Sequence, residues 1–521
     1  MKYLKLFHKY VKFNKNFFNR RYNQNKKKNK LILVELFDLK ATTISLSLFA
    51  HAFDKKSNFE IVGFYSVFQS LKKKIKFYFN WYINIFGFLT LYKSFGINKV
   101  MIPNKNLNLK KIKNIHLNII KKIRSKKDIL NIKIENVYLG DLIYDSYIRE
   151  NNLLTIDINE KLFKNFILDV VKLFFYWENY FKKNKVASIL ATHSVYLAAL
   201  PLRIALKKKI KFFCVNYDKI YRLTSKRPLI YGHFEEYPSV FKKLSVEEQN
   251  RGLSLAKHQL NKRFKGNKDI LYQISTPLSD GTYSVKRNNK DFILNKNNNF
   301  KILIAAHDFN DAPHVHKDLI FEDMYEWLNY LGKKSLKKKG YDWYVKLHPA
   351  DYQHNQKKME YFISKYKKFQ LLPRNVSHNQ LINEGINCVL TCFGSIGHEY
   401  PFFGIPVVNA GHNPHIAYNF NYHPKTKKDY EILFNKIETL KVNKKHNKDI
   451  YQFYMVRYFL DYNLFPGKMN TNNLNNIEIF EKFFKRYNKK DLEKILKDYN
   501  SFIYSNERRL ISKKQLNIKF I

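Results

Sequence analysis

Two stretches near the C-terminal end restrict the fold of this chain more than any other feature. They are GYDWYVKLHPAD, Gly340 to Asp351, and INCVLTCFGSIGHEYPFFGIPVVNAG, Ile386 to Gly411. Each reads as an apolar run of strand length that stops at a polar loop rich in His, Gly or Ser. The second loop opens a helix, and GIPVV then returns to strand. Units of this kind build mostly parallel sheets with helices on both faces. In such sheets ligands sit where strand C-termini meet helix N-termini. Two such crossings so close in sequence predict one nucleotide pocket, which makes an enzyme the leading reading.

The same alternation runs through the rest of the chain. LILVELFD (Leu31 to Asp38) reads as a core strand, ATTISLSLFAHAFDKK as a helix, and FEIVGFYS (Phe59 to Ser66) as the next strand, a βαβ opening. NKVMIP, VASILATHSVY and IKFFCVNY supply further strands, and a long aromatic helix is expected at about Glu160 to Lys182. KRNNKDFILNKNNN (Lys286 to Asn299) has loop composition and is expected to link two domains. Beyond it KILIAAH, WYVKLH, FQLLP, CVLTCF and PVVNAG form a second set of strands, and from Lys427 the pattern is helical. With 521 residues, two domains are the default. The expected division is a basic N-terminal segment 1–30, an α/β domain 31–285, a linker 286–299, an α/β domain 300–426 and a helical extension 427–521. The expected fold class is α/β, two doubly wound Rossmann-like domains.

Charge narrows the partners. The formal net charge is +51, from 94 Lys plus Arg against 43 Asp plus Glu. That field draws polyanions, with nucleic acid and an anionic membrane face as candidates. An AT-rich genome would produce the same abundance of Lys, Asn, Ile, Phe and Tyr without selection on function. Lys is spread along the entire chain and no RNA-binding motif occurs, so no specific nucleic acid partner is expected. Three cysteines exclude a disulfide framework and suggest a reducing compartment. No window reaches the ~20 apolar residues of a transmembrane helix; the stretch around Phe77 to Leu91 is apolar and aromatic but short, with charges at its ends. The N-terminal MKYLKLFHKYVKFNKNFFNRRYNQNKKKNK is read as an amphipathic segment on anionic lipid or as a solvated tail.

The chemistry-bearing residues cluster in the second domain. VKLHP places His348 at a strand end, where Pro349 stops the ladder. An imidazole there can donate to a phosphate or a base. In TCFGSIGHE, Gly394 permits a tight turn, and Ser395 to Gly397 open a helix whose backbone N–H groups suit phosphate oxygens. Glu399 lies one turn in, placed to accept from ribose hydroxyls. AAHDFNDAPHVH crowds His307, Asp308, Asp311, His314 and His316 into one loop, a density that suits proton transfer or phosphate binding. A metal at His314-x-His316 lacks a fourth ligand in the pattern, so no metal is expected. In the first half Glu35, Asp38, GDLIYD (Gly140 to Asp145) and THSVY (Thr192 to Tyr196) sit at loops or strand ends, and Asp280 precedes Gly281 and Thr282. Glu35 and Asp38 are candidates for acceptor contact or general base.

KLHP at Lys346 to Pro349 and FGSIGHEYPFFGIPVV at Phe393 to Val408 resemble two motifs of the capsule polysaccharide biosynthesis transferases of the GT-B fold. That group includes Kdo and polysialic acid transferases and, more distantly, CDP-glycerol glycerophosphotransferases. HDFNDAPH, FEDMYEWL and GDLIYDSYIR are also similar to surface-carbohydrate proteins of this type. The resemblance is good over about Lys301 to Pro424. It implies two domains facing one another, with His348, Pro349, Gly394, Ser395, Gly397 and Glu399 around a nucleotide-sugar donor, a CMP-linked one first. It further implies a glycan or lipid-linked acceptor, no metal or other cofactor, and a cytoplasmic location, peripheral on the inner membrane. His307, Asp311, His314 and Asp38 are the candidate catalytic groups. The acidic motif that supplies the base in sialyl-type members has its nearest counterpart in SDGT, Ser279 to Thr282, which lacks the first acid. The alternatives are a CDP-glycerol-type glycerophosphotransferase and a non-enzymatic polyanion- or membrane-binding protein.

Overall fold

The computed structural model describes residues 2–22, 30–53, 59–83, 87–104, 109–230, 233–267, 281–284, 291–348, 352–442, 446–462, 464 and 477–517. These fall into two compact units. Unit 1 comprises Met1–Tyr144, Asp157–Ile230 and Asp461–Ile511, and unit 2 comprises Asp145–Ile156, Tyr231–Leu460 and Ser512–Ile521. The fold class is the expected one: α/β, GT-B-like in having two doubly wound units in one chain.

The sheet of unit 1 contains β1 (Lys30–Glu35), β2 (Phe59–Phe64), β3 (Lys99–Met101), β4 (Val186–Ala191), β5 (Lys211–Val215) and β6 (Ile220–Leu223). Their order is β3-β2-β1-β4-β5-β6. The first five are parallel. Parallel strands covered on both faces must be apolar throughout, and Ile32, Leu33 and Val34 of β1 are fully buried. β6 runs antiparallel to β5 because only Asn216 to Lys219 join them, too short a link for a crossover. Its outer edge is paired by the tail of the unit: Arg222 N–H donates to the Arg508 carbonyl and Leu510 N–H to the Ile220 carbonyl. That contact removes a free edge.

The described part of the N-terminal segment is a packed helix, not a solvated tail. Lys2–Tyr22 is one helix, and Phe7, Tyr10, Val11 and Phe18 on its apolar face are buried in the unit 1 core. The rings of Phe480, Phe483 and Phe484, from the Ile477–Arg486 helix, cover it; Tyr10 and Phe484 lie 4.6 Å apart. The periodicity was amphipathic for the usual reason, a protein core on one side.

The sheet of unit 2 contains β7 (Phe300–Ala305), β8 (Tyr341–Lys346), β9 (Phe369–Leu371), β10 (Cys388–Thr391) and β11 (Val407–Asn409), ordered β9-β8-β7-β10-β11 and parallel throughout. All five expected strands are present. Trp327 from the Met324–Leu336 helix and Trp343 from β8 fill the core beneath the sheet. The unit begins earlier than the expected 286–299 linker, of which 286–290 lie outside the described residues. The reason is the Val246–Phe264 helix, which packs on Asn447–Tyr458 within unit 2. Gly252 permits that approach, since a Cβ there would stand 2.2 Å from the Met455 side chain. The expected extension 427–521 is likewise divided. Lys427–Asn435 and Asn447–Tyr458 belong to unit 2, whereas Ile477–Arg486 and Lys489–Tyr504 belong to unit 1.

Candidate functional site

Each sheet reverses strand order beside its first strand, the point at whose strand C-termini open α/β sheets bind ligands. In unit 2 that point lies between β7 and β10. Thr391, the last residue of β10, donates its hydroxyl to the Ala305 carbonyl at the end of β7 (3.0 Å), and Ala306 N–H donates to the Lys346 carbonyl at the end of β8. These bonds bring the loops after three strands to one edge. His307 follows β7, His348 follows β8, and Phe393 and Gly394 follow β10. The imidazoles of His307 and His348 lie 5.4 Å apart, and Phe393 lies 4.7 Å from His307. The row of rings continues through His316, 4.4 Å from Phe393, to Phe234, 5.5 Å further on. Gly394 has φ +137°, in the region that favours glycine, so the chain can turn sharply past the strand end.

These imidazoles are uncharged at neutral pH. Burial lowers the pKa of His307 against the pull of Asp311 and Asp308. Burial, with His307 beside it, pushes His348 down to about 4. His316 is held well below the ordinary value by burial and then by His412 and Arg457. A neutral imidazole has one donor and one acceptor nitrogen. The rings therefore offer directional hydrogen bonds and faces without a charge of their own, beside Asp308, Asp311 and Lys346.

Several expected site residues have other partners. His314 is buried with both ring nitrogens engaged: Nδ1 lies 2.5 Å from Asp145 Oδ1 and Nε2 lies 3.0 Å from the Glu322 carbonyl. It pins the 145–156 segment to unit 2 and has no nitrogen left for a substrate proton. Asp311 is half exposed and ion-paired with Arg149 at 2.8 Å. Glu399 is 2% exposed; Arg263 stands 2.7 Å from Oε1, and the Tyr283 hydroxyl donates to Oε2 at 3.0 Å. The Ser395 hydroxyl also hydrogen-bonds Glu399. Gly397 is a packing glycine, because a Cβ would stand 2.5 Å from the His415 ring. The helix that Ser395 caps spans only Ile396–Phe402. Pro349 and Asp280 lie outside the described residues. Among the described residues no three of His, Cys, Asp and Glu converge as a metal ion would require.

No protein-family model matches the chain, and no curated protein matches its sequence. Solved structures with a partial likeness are enzymes of nucleotide-sugar and surface-polymer chemistry. KpsC of Thermosulfurimonas dismutans, a beta Kdo 2,4 transferase, is 10% identical over 53% of this chain and 80% of its own, with a TM-score of 0.29. UDP-GlcNAc 2-epimerase of Neisseria meningitidis, bound to UDP-GlcNAc, is 10% identical over 82% of this chain and 96% of its own, with a TM-score of 0.21. The wall teichoic acid polymerase TagF, soaked with CDPG, is 9% identical over 96% of this chain and 99% of its own, with a TM-score of 0.21. The fold assignment above rests on strand order and register, not on these likenesses.

The corresponding point in unit 1 lies between β1 and β4, and carries a feature that periodicity alone could not reveal. Glu35, the buried last residue of β1, accepts from Thr192 N–H (2.7 Å) and from the Thr192 hydroxyl (2.8 Å) at the end of β4. Thr192 Oγ1 lies 2.6 Å from His193 Nδ1. Because the hydroxyl proton goes to the carboxylate, Nδ1 must carry the hydrogen, and Nε2 keeps its lone pair. His193 is exposed and rests beside Phe37 (5.5 Å). Asp38, also exposed, lies in the same loop as Phe37. The sequence singled out Glu35 and THSVY separately; only the strand order makes them one group.

Proposed function

We propose that the chain is a glycosyltransferase of surface or capsular polysaccharide synthesis, with a nucleotide-activated donor at the mouth of the second sheet. The observation that carries this reading is the convergence of uncharged His307 and His348 with Phe393 at the strand-order reversal of unit 2. Aromatic faces suit a nucleobase, and imidazole N–H groups suit phosphate oxygens without trapping the departing nucleotide in an ion pair. The donor is CMP-linked in this reading, and the acceptor is a glycan or a lipid-linked glycan. The acceptor hydroxyl yields its proton to His307, at the same sheet edge as His348. Its oxygen bonds to the anomeric carbon as the bond from that carbon to the phosphate oxygen breaks. The nucleotide leaves with the electron pair. The reading is metal-independent, with hydrogen bonds carrying the phosphate charge.

Calorimetric titration of CMP, CDP and UDP into the purified chain tests this. CMP or CDP is expected to bind, and His348→Ala to weaken binding at least about tenfold, the size of a lost hydrogen bond in a desolvated site. Preference for UDP would keep the pocket and replace the donor class. Failure of all three nucleotides to bind would sink the proposal.

A further inference from the structure

The Leu71–Ile83 helix of unit 1 has the sequence LKKKIKFYFNWYI. Leu71, Ile75, Tyr78, Phe79, Tyr82 and Ile83 are 49–79% exposed. The spacing 71, 75, 78, 79, 82 places five of them on one side over three turns. The opposite side is anchored: Phe77 and Trp81 are buried, Phe77 lies edge-on to Tyr65 at 5.4 Å, and Lys93 sits over Trp81 at 4.7 Å. The other large exposed hydrophobic side chains among the described residues are scattered singly over many elements, and such residues need no explanation. Six on thirteen positions do need one, because soluble surfaces rarely group them. The helix also holds Lys72, Lys73, Lys74 and Lys76 and no acid.

We propose that this helix docks unit 1 on an anionic lipid surface. An apolar face bounded by lysines is the pattern of a helix lying in the interface plane, with side chains sunk among the acyl chains and ammonium groups at the headgroups. Tyr78 and Tyr82 supply the amphipathic rings that favour that depth. Charge complementarity selects the occupant: a chain of net charge +51 opposes association of two like surfaces and favours an acidic one. The helix thus takes one of the roles read for the N-terminal segment 1–30, in which the apolar face of Lys2–Tyr22 is already covered. No helix of the described residues is long and apolar enough to cross a membrane, and none is needed. The proposal does not depend on the transferase reading.

The test is co-sedimentation of the full chain with vesicles of phosphatidylglycerol and phosphatidylcholine, against vesicles of phosphatidylcholine alone. Binding is expected on the acidic vesicles and should weaken with salt. Ile75→Ser with Phe79→Ser should lower partitioning at least about tenfold. Lys72→Gln with Lys76→Gln should lower it roughly thirtyfold, about fivefold for each lysine near the surface. All four positions are exposed or at the surface of the helix, so circular dichroism should be unchanged. Cys214, Cys388 and Cys392 are buried, so Phe79→Cys can be labelled selectively with an environment-sensitive dye, whose emission should shift to the blue on acidic vesicles. Vesicle binding that ignores the Ile75 and Phe79 substitutions would overturn the proposal, as would no binding at all. So would concentration-dependent self-association in the ultracentrifuge that the same substitutions abolish, since the face would then belong to a second copy of the chain.

Discussion

Acidification from pH 7.5 to 5.5 should cost unit 2 at least about 5 kcal/mol of stability, from its buried histidines. Four of its buried histidines, His316, His378, His398 and His415, have a pKa lowered by that burial. Burial is the first cause of the lowered pKa in all four, with neighbouring imidazoles or cations such as Lys346 and Arg457 adding to it. His378 is pushed down to about 3 and His398 to about 4. In the unfolded chain each titrates near 6.5. Above that pH neither state binds a proton, and the stability is fully present. Below it the unfolded chain takes up protons that the fold refuses, and stability falls until the folded groups themselves titrate. One pH unit past the unfolded value is worth about 1.4 kcal/mol per group, hence about 5 kcal/mol for four. That is comparable with the whole stability of many domains. Urea-dependent hydrogen exchange on peptides from β7 and β10, at pH 7.5, 6.5 and 5.5, measures it. A slope below one proton between pH 6.5 and 5.5 would contradict the buried, neutral assignment. His378→Asn, which removes one titrating group, should lower the slope by about one proton.

The sheets were legible because buried parallel strands are near-continuous apolar runs, as in KILIAA and NCVLTC. The positions of His307 and His348 followed, since a polar residue directly after such a run must lie at the sheet edge. What the chain concealed were partners distant in sequence. Asp145 and His314 are separated by 169 positions, and Arg263 and Glu399 by 136; no local period relates them. Hence a histidine expected to move protons is hydrogen-bonded at both ring nitrogens, and a carboxylate expected near a ribose is paired with an arginine. Amphipathicity misled in a related way. It states that one face of a helix is covered but not by what. The Lys2–Tyr22 face meets phenylalanines from the far end of the chain, whereas the stronger candidate for a lipid contact is Leu71–Ile83. Its alternation of Lys with aromatics hides two apolar faces, one turned inward through Phe77 and Trp81 and one outward. The antiparallel β6 was missed because a four-residue strand after a tight hairpin carries little pattern.

Arg263→Ala should cost about 3–5 kcal/mol, the usual penalty for stranding one charge of a buried pair. The Arg263 and Glu399 side chains are 7% and 2% exposed. Arg263 reaches Glu399 Oε1 through both Nη2 (2.7 Å) and Nε (3.0 Å), while Tyr283 holds Oε2. Burial alone would raise the Glu399 pKa, but Arg263, the nearby His398 and His378, and the Ser395 hydroxyl outweigh it and hold the carboxyl at about 2. Its contribution is therefore present above about 4.5 and lost as pH falls toward 2, beneath the window in which the histidines act. Glu399→Gln should also destabilise, because the guanidinium would remain buried without its counter-charge. The double variant Arg263→Met/Glu399→Leu should recover most of the loss, since neither charge is then left alone. Denaturant unfolding of the natural chain and these three variants at pH 7.5 makes the comparison. The same set decides what Glu399 is for. As a positioning residue it fixes the Ile396–Phe402 helix behind Gly394 and Ser395, so the double variant should regain nucleotide binding along with stability. Were Glu399 instead a ligand of the donor sugar, Glu399→Gln would leave stability nearly unchanged. The double variant would then stay deficient in binding a nucleotide sugar, however well it folded.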